Sequence, residues 1–428
     1  STQIRYIPGQ NGETATFTYK AWDQTSGTAS TNGTPSYTTT ASSGGTTAFS
    51  TNNATGQIVV TSVNDAPTIT NAATHTLTST TEDATSSGTL ASAILTGVSW
   101  ADVDTSALSG LAITGVTGSG TWQYSTDGTT WANFGAVSST NALLITSTTQ
   151  VRYTPNTQNA ETATFTFKAW DQTSGTASTN GTPSYATTAS AGGTTAFSTS
   201  NATASMSVTA VNDAPTITNA ATYTLTSTTE DATSSGTLAS AILTGVSWAD
   251  VDTSALSGLA ITGVTGSGTW QYSTDGSTWA NFGAVSSTNA LLITSTTQVR
   301  YTPNTQNAET ATFTFKAWDQ TSGTASTNGT PSYATTASSG GTTAFSTSNA
   351  TASMSVTAVN DAPTITNASS YSFTTVNEDT TSAGVLASTI LTSASRADVD
   401  SGALSGMAIT GVTGLGTWQY STDGTTWA

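Results

Sequence analysis

The pentapeptide Val-Asn-Asp-Ala-Pro occurs at residues 63–67, 211–215 and 359–363, at intervals of 148 residues. Proline fixes its own φ angle, lacks an N–H donor and biases the preceding alanine toward extended geometry. A strand that runs into Asn-Asp therefore stops pairing and restarts beyond the proline. The pentapeptide predicts a stiff joint between consecutive domains, with an amide and a carboxylate placed at the joint.

The rest of the sequence repeats in phase with this pentapeptide. Residues 1–63 correspond to the second half of a repeat, residues 64–211 and 212–359 are complete copies, and residues 360–428 correspond to the first half. We predict domain boundaries at these positions. Because the sequence begins and ends inside a repeat, we expect a segment of a continuous filament, or terminal halves completed by neighbouring chains.

Each copy carries the signals of β-structure. Short segments rich in threonine, valine, isoleucine and aromatic residues alternate with clusters of glycine, asparagine, aspartate and serine. Along one segment, Phe165, Phe167 and Ala169 share one face. A unit of 148 residues is long enough to bury its own core. We predict an all-β fold, a tandem array of antiparallel β-sandwich domains, with a helical turn only at residues 90–95.

The clearest local signal is a hairpin around Asp127-Gly128. Asp-Gly is a preferred two-residue turn in which both residues take a positive φ. In this register Tyr124 pairs with Trp131, and Trp122 lies diagonally on the same face. We therefore expect Trp122 and Trp131 in the core.

The composition limits the classes of partner and chemistry. The chain has 24 acidic and 7 basic residues, which argues against nucleic acid as a partner. It has no cysteine, so it cannot form disulfides. No apolar run approaches the roughly 18 residues of a membrane span. His75 is the only histidine and its counterpart is Tyr223, so it cannot be a required catalytic base. With no cysteine, no repeated histidine, no nucleophile elbow and no convincing acid pair in an apolar pocket, we expect no enzyme activity.

The acidic residues recur near the joints, as expected of cation ligands. Hard oxygen ligands without histidine or cysteine suit Ca²⁺, and converging carboxylates without a cation would repel one another. In an extended chain, Asp-x-Asp places both carboxylates on one side. The alternative is that each acid is a solvated turn residue. Around one joint the acids are Glu82, Asp83, Asp213, Asp250, Asp252 and Asp319.

Each complete copy resembles a cadherin-like domain of the Val-Asn-Asp-Ala-Pro type found in giant bacterial surface proteins and adhesins. The resemblance covers the whole chain. It is carried by the joint, the Glu-Asp pair (as in residues 376–380, Val-Asn-Glu-Asp-Thr), the Ala-Asp-Val-Asp motif at residues 101–104, and Phe-Lys-Ala-Trp-Asp at residues 167–171.

In cadherins the matching positions ligate calcium between successive domains, so the resemblance implies Ca²⁺ at the joints here. A further aspartate usual in cadherin joints is replaced by Ser62, Ala210 or Ala358, which implies one or two ions per joint. The implied ligands are Asn64, Asp65, Glu82, Asp83, Asp102, Asp104, Asp171, Asn212, Asp213, Glu230, Asp231, Asp250, Asp252, Asp319, Asn360, Asp361, Glu378, Asp379, Asp398 and Asp400.

These features predict an extracellular, cell-surface array with a structural and adhesive role, stiffened by calcium and forming the stalk or filament of a large protein. Its expected partners are neighbouring copies of itself, with cell-surface glycans or proteins as candidate targets. The alternative is a tandem array of carbohydrate-binding modules that uses exposed tryptophans such as Trp170 and the Thr/Ser/Gly-rich loop at residues 172–202.

Overall fold

The computed structural model describes residues 1–71, 74–220 and 222–428. They divide into two compact units, Ser1–Val211 (unit 1) and Asn212–Ala428 (unit 2). Each unit contains one complete copy of the repeat and one partial copy. Within the described ranges, no helix combines the length and apolar character needed to cross a bilayer.

In unit 1 the elements are β1 (Glu13–Tyr19), β2 (Ala54–Val60), β3 (Thr68–Ile69), β4 (His75–Thr76), β5 (Thr80–Thr81), β6 (Thr89–Leu90), α1 (Ala91–Gly97), β7 (Trp100–Ala101), β8 (Gly110–Val116), β9 (Thr121–Ser125), β10 (Ala132–Asn133), β11 (Ala142–Thr146), β12 (Gln150–Thr154), β13 (Glu161–Trp170), β14 (Tyr185–Ala186) and β15 (Ala202–Thr209).

In unit 2 they are β16 (Thr216–Ile217), β17 (Tyr223–Thr224), β18 (Thr228–Thr229), β19 (Thr237–Leu238), α2 (Ala239–Gly245), β20 (Trp248–Ala249), β21 (Gly258–Val264), β22 (Thr269–Ser273), β23 (Ala280–Asn281), β24 (Ala290–Thr294), β25 (Gln298–Thr302), β26 (Glu309–Trp318), β27 (Tyr333–Ala334), β28 (Ala350–Thr357), β29 (Thr364–Ile365), α3 (Ala387–Ser393) and β30 (Arg396–Ala397).

Two main sheets and a two-stranded pair, β3–β7 in unit 1 and β16–β20 in unit 2, build each complete copy. In unit 1 the larger sheet runs β14-β11-β8-β13-β15, and β4 and β5 both pair with β15 in parallel. The smaller sheet runs β10-β9-β12-β6 with antiparallel pairing. Unit 2 repeats both sheets, as β27-β24-β21-β26-β28 with β17 and β18, and as β23-β22-β25-β19. The predicted all-β class is confirmed.

Aromatic side chains fill the space between the two sheets. Trp122 from the smaller sheet meets Phe165 from the larger sheet edge-on, with 4.9 Å between ring centroids. It also lies 4.8 Å from Tyr153. Phe165, Phe167 and Ala169 are fully buried, so the predicted alternation along β13 is confirmed. Removing one such ring costs about 3–5 kcal/mol, and this core fixes the sandwich.

The helix α1 lies where the sequence predicts a helical turn. Ala91, Ile94 and Leu95 are buried, at the i, i+3, i+4 spacing of a helix with one apolar face. Ser99 then takes a positive φ of 54°, and the chain turns directly into β7. The helix therefore delivers the chain to the strand that precedes the Asp-x-Asp motif.

The long loop after β13 covers the outer face of the larger sheet. Trp170 points to that face and is only 1% exposed, because it packs with Leu144 and Phe197. Its Nε1 donates to the carbonyl oxygen of Ser174 at 2.8 Å. The prediction of an exposed Trp170 is wrong. Its strand parity is outward as predicted, but the loop folds back over it.

The hairpin between β9 and β10 differs from its prediction by one residue. Tyr124 pairs with Ala132, and only Gly128 of the turn pair takes a positive φ, of 74°. Asp127 Oδ1 accepts from the backbone N–H groups two and three residues later, both at 2.7 Å. These bonds widen the turn beyond the two-residue form.

The shifted register moves Trp131 out of the core. The guanidinium carbon of Arg152 lies 4.1 Å from the centroid of its ring, a cation–π contact on the outer surface of the smaller sheet. The prediction of Trp131 as a core residue is therefore wrong, whereas Trp122, at 4% exposed, is confirmed.

The partial copies keep only local pieces of the sandwich. Residues 1–63 keep the β1–β2 pair, which corresponds to β13 and β15. Phe17 is 46% exposed, whereas its counterpart Phe165 is fully buried. Residues 360–428 keep the β29–β30 pair and α3. That strand pair lies beside the Asp-x-Asp motif at residues 398–400. The partial copy therefore retains this acidic motif.

Candidate metal centre

A short antiparallel strand pair brings each joint to an Asp-x-Asp motif. In unit 1, β3 begins at Thr68, just after the joint, and pairs with β7, which ends at Ala101. As a result the backbone N–H of Asp65 donates to Asp104 Oδ2 at 2.8 Å. The N–H of Asp104 in turn donates to Asp102 Oδ1 at 2.9 Å.

The second of these bonds is an Asx-turn, so the motif bends back on itself. Both carboxylates lie at the joint, since Asp104 Oδ2 accepts from Asp65 N and Asp102 Oδ1 accepts from Asp104 N. Asp102 Oδ2 and Asp104 Oδ1 are buried, and neither has a hydrogen-bond partner among the described residues. Buried charged oxygens of this kind are costly unless a cation satisfies them.

Asp171 adds a further buried carboxylate, at the end of β13. It is 3% exposed, and its Oδ1 accepts from Thr173 N at 2.8 Å and Thr173 Oγ1 at 2.6 Å. Its Oδ2 accepts from Asn64 Nδ2 at 3.0 Å. The joint asparagine therefore orients the carboxylate through its amide nitrogen.

Unit 2 reproduces this geometry in its own complete copy. Asp213 N donates to Asp252 Oδ2 at 2.9 Å, and Asp252 N donates to Asp250 Oδ1 at 3.0 Å. Asn212 Nδ2 donates to Asp319 Oδ2 at 3.0 Å. The arrangement is therefore a property of the repeat.

A buried glutamate adds a further carboxylate at the joint that follows each complete copy. Glu230 follows β18, and its N–H donates to Thr357 O at 3.0 Å. Its Oε1 accepts from Val359 N at 2.6 Å. The side chain is fully buried, and its Oε2 has no partner in the part of unit 2 that the structure describes. In unit 1, Glu82 Oε1 accepts from Val211 N at 2.8 Å in the same way.

Glu230, Asp361 and Asp400 converge at the last joint of unit 2. One carboxylate oxygen from each lies within 4.8 Å of the others, and the group can hold a metal ion. Carboxylate charges this close to one another repel. Protonation or a cation would relieve this repulsion.

The pKa values of three of the acidic residues at the joints are raised. Loss of hydration raises the pKa of Asp361, and the nearby charges of Asp231, Asp400, Glu230 and Asp398 raise it further. Loss of hydration likewise raises the pKa of Asp102 and of Asp250. A cation bound beside these carboxylates would favour their charged form.

Sequence reasoning missed Asn307, which lies between β25 and β26. Its Nδ2 donates to Val399 O at 2.9 Å, and its Oδ1 accepts from Ser401 N at 2.7 Å. Asn11 makes the same pair of bonds in unit 1, to Val103 O at 2.9 Å and from Thr105 N at 3.0 Å. This asparagine clamps the Asp-x-Asp turn of the following copy, and a single near-identical repeat gives no signal that would single it out.

Four other predicted ligands lie outside the converging group among the described residues, although the charge of Asp231 acts on Asp361. Asp83 and Asp231 follow the buried glutamates and are exposed. Glu378 and Asp379 are exposed in the partial copy at residues 360–428. Their assignment as ligands stays a prediction.

No protein family model matches the sequence, and no curated protein matches it. Among solved structures, an endo-fucoidan hydrolase of glycoside hydrolase family 107 matches with a TM-score of 0.21 and 15% identity, over 72% of this chain and 32% of that chain. Mouse cadherin-23 EC22-24 matches with a TM-score of 0.33 and 9% identity, over 73% of this chain and 72% of that chain. Drosophila N-cadherin EC1-4 matches with a TM-score of 0.31 and 10% identity, over 72% of this chain and 53% of that chain.

This chain therefore spans about a third of the hydrolase and about half of the N-cadherin fragment. With TM-scores between 0.21 and 0.33, these similarities carry no argument about the chain.

Proposed function

We propose that this chain is part of an extracellular structural and adhesive repeat array whose joints are stiffened by calcium. In this proposal the array forms the stalk or filament of a large cell-surface protein. The sandwich domains supply rigid rods, and the acidic joints set how freely neighbouring copies move. Its partners are neighbouring copies of itself, and it carries out no catalysis.

One observation carries the proposal, namely the fully buried carboxylate of Glu230. Its Oε2 lacks a partner in the described part of unit 2, and oxygens of Asp361 and Asp400 lie within 4.8 Å. A buried carboxylate with one unpartnered oxygen, beside two other carboxylates, is unfavourable unless a cation is present. Because the three ligands come from a complete copy and the copy after it, a cation would tie the two copies together.

Calcium is the best candidate among common cations. The ligands are carboxylates, and histidine and cysteine take no part, which disfavours zinc and copper. Ca²⁺ accepts six to eight oxygens in flexible geometry, whereas Mg²⁺ demands a near-ideal octahedron. Ligands from three separate segments, supplemented by backbone carbonyls and water, suit the more permissive ion.

The carbohydrate-binding alternative loses its main support. Trp170 and Trp318 are each 1% exposed, and the loop expected to line a glycan site packs over them.

The test is thermal melting and small-angle scattering of the 428-residue chain in calcium, in magnesium and in chelator. With a Kd of roughly 0.1–1 mM, one site at ten times Kd stabilises by about 1.4 kcal/mol. We expect calcium to raise Tm and narrow the distribution of molecular dimensions, and magnesium to do much less. Identical melting and scattering in calcium and chelator would reject the proposal.

A further inference from the structure

Arg396 breaks the charge pattern of the repeat. The other basic residues recur at equivalent positions in the copies, as Arg5, Arg152 and Arg300 and as Lys20, Lys168 and Lys316. Arg396 instead replaces a tryptophan, Trp100 in the first complete copy and Trp248 in the second. A guanidinium therefore enters an acidic joint where the other copies carry an uncharged ring.

The new guanidinium binds a predicted ligand directly. Arg396 Nη2 donates to Asp398 Oδ2 at 2.7 Å, and also to Leu404 O at 2.8 Å. The Asp398 side chain is 7% exposed and that of Arg396 is 18% exposed. The pair is thus shielded from solvent, where a charge-assisted hydrogen bond is stronger than at an open surface.

The Oδ2 atom that corresponds to that of Asp398 has different hydrogen bonding in the other copies. Asp398 corresponds to Asp102 and Asp250, and the Oδ2 atoms of both are buried without a partner among the residues described. In all three aspartates, Oδ1 accepts a hydrogen bond from the backbone N–H of the residue two positions later, at 2.9, 3.0 and 3.2 Å. At this aspartate the copies therefore differ in the Oδ2 atom, which Arg396 satisfies in the last copy.

We propose that Arg396 is an internal counter-ion that takes the place of one bound cation at the Asn360-Asp361 joint. The inference rests on the proposed function. Arginine remains charged at all physiological pH values and offers donors in a fixed geometry, so its stabilisation needs no dissolved calcium. Glu230, Asp361 and Asp400 keep their cation site, while Asp398 is withdrawn from ligation. This joint then binds fewer ions than one with tryptophan at the same position.

Calorimetric titration of the full chain with CaCl₂ tests the inference through an exchange of residues. Arg396→Trp restores the residue of the other copies, and Arg396→Met removes the charge without adding a ring. We expect both variants to bind one more calcium ion per chain than the wild type. Arg396→Lys retains a positive charge and is expected to leave the stoichiometry unchanged.

The reverse exchange, Trp248→Arg, is expected to remove one ion, and Trp248→Phe serves as its control for the loss of the indole. Circular dichroism of each variant shows whether it is folded. Calcium binding by the wild type with unchanged stoichiometry in Arg396→Trp and Arg396→Met would overturn the inference alone. Failure of the wild type to bind calcium would overturn the proposed function and the inference with it.

Discussion

The backbone N–H of Val359 donates to Oε1 of Glu230 at 2.6 Å, although 129 residues separate them in sequence. The bond fixes a buried carboxylate at the point where a complete copy ends and its joint begins. One oxygen is used to orient the side chain, and the other stays available for a ligand. A similar bond between Val211 and Glu82 in unit 1 shows that the repeat builds it each time.

The first prediction concerns Glu230→Gln. Glutamine keeps an acceptor for Val359 but removes the charge, so we expect calcium binding at this joint to weaken at least tenfold. Without calcium, the variant should melt at the same temperature as the wild type or higher, because one repulsive charge is gone. Titration calorimetry and melting in chelator measure the two effects.

The matched control for that variant is Asp423→Asn. It changes the net charge equally but lies in an exposed turn, where Oδ1 accepts from Thr425 N and Thr426 N at 2.8 and 2.6 Å. It should loosen the turn and leave calcium affinity unchanged. Equal weakening of calcium binding in both variants would mean that overall charge, rather than the site, determines affinity.

The second prediction concerns pH in the absence of calcium. Folding raises the pKa of Asp102, Asp250 and Asp361, so the folded state binds more protons than the unfolded state just above the ordinary aspartate pKa of about 3.9. Stability should therefore increase as pH falls from 7 into that window.

Other aspartates oppose this trend at lower pH. Backbone hydrogen bonds hold the pKa of Asp127 and of Asp275 well below the usual range. Their stabilisation is complete above the ordinary value and is lost as pH falls below it. Melting in chelator should thus show a maximum on the acidic side of neutrality, whereas calcium should shift the maximum upward. A steady loss of stability from pH 7 downward in chelator would contradict the account.

The third prediction concerns Asn307→Ala, which removes the clamp on the Asp-x-Asp turn. Two neutral hydrogen bonds contribute about 1–2 kcal/mol together, so calcium affinity should fall by between about fivefold and thirtyfold. Asn289→Ala is the control, because Asn289 Nδ2 donates to Ala284 O at 2.6 Å within a hairpin of the same unit. If Asn307→Ala binds calcium as tightly as Asn289→Ala, the clamp does not position the ligands.

The fourth prediction concerns the loop over the larger sheet. Trp318 is 1% exposed beneath it, so Trp318→Ala should lower the free energy of unfolding by about 3–5 kcal/mol and open residues 320–348 to proteolysis. Trp279 lies outside the core with Arg300 4.0 Å from its ring, and Trp279→Ala should cost about 1 kcal/mol. Similar losses for the two variants would contradict the burial described for Trp318.

Sequence patterns predicted the features that depend on local periodicity. The alternation of Phe165, Phe167 and Ala169 gave the inner face of β13, and all three are fully buried. The short apolar spacing before Trp100 gave the helix α1. The recurrence of acids beside each joint indicated a cation site, and the structure brings three of them together in unit 2.

The remaining features depend on tertiary contacts or side-chain bonds that periodicity does not encode. Strand parity placed Trp170 on the outer face, but it cannot show that a loop returns to cover that face. The carboxylate of Asp127 captures backbone N–H groups and shifts the hairpin register by one residue. The contact from Asn307 to Val399 spans 92 residues, so only the fold reveals it.

Anomalous diffraction from crystals of the 428-residue chain grown in calcium tests the central claim most directly. We predict anomalous density at the Asn360-Asp361 joint, with oxygens of Glu230, Asp361 and Asp400 at about 2.3–2.6 Å from the ion. Calcium-replete crystals in which these carboxylates surround only water, or a protonated cluster, would contradict it.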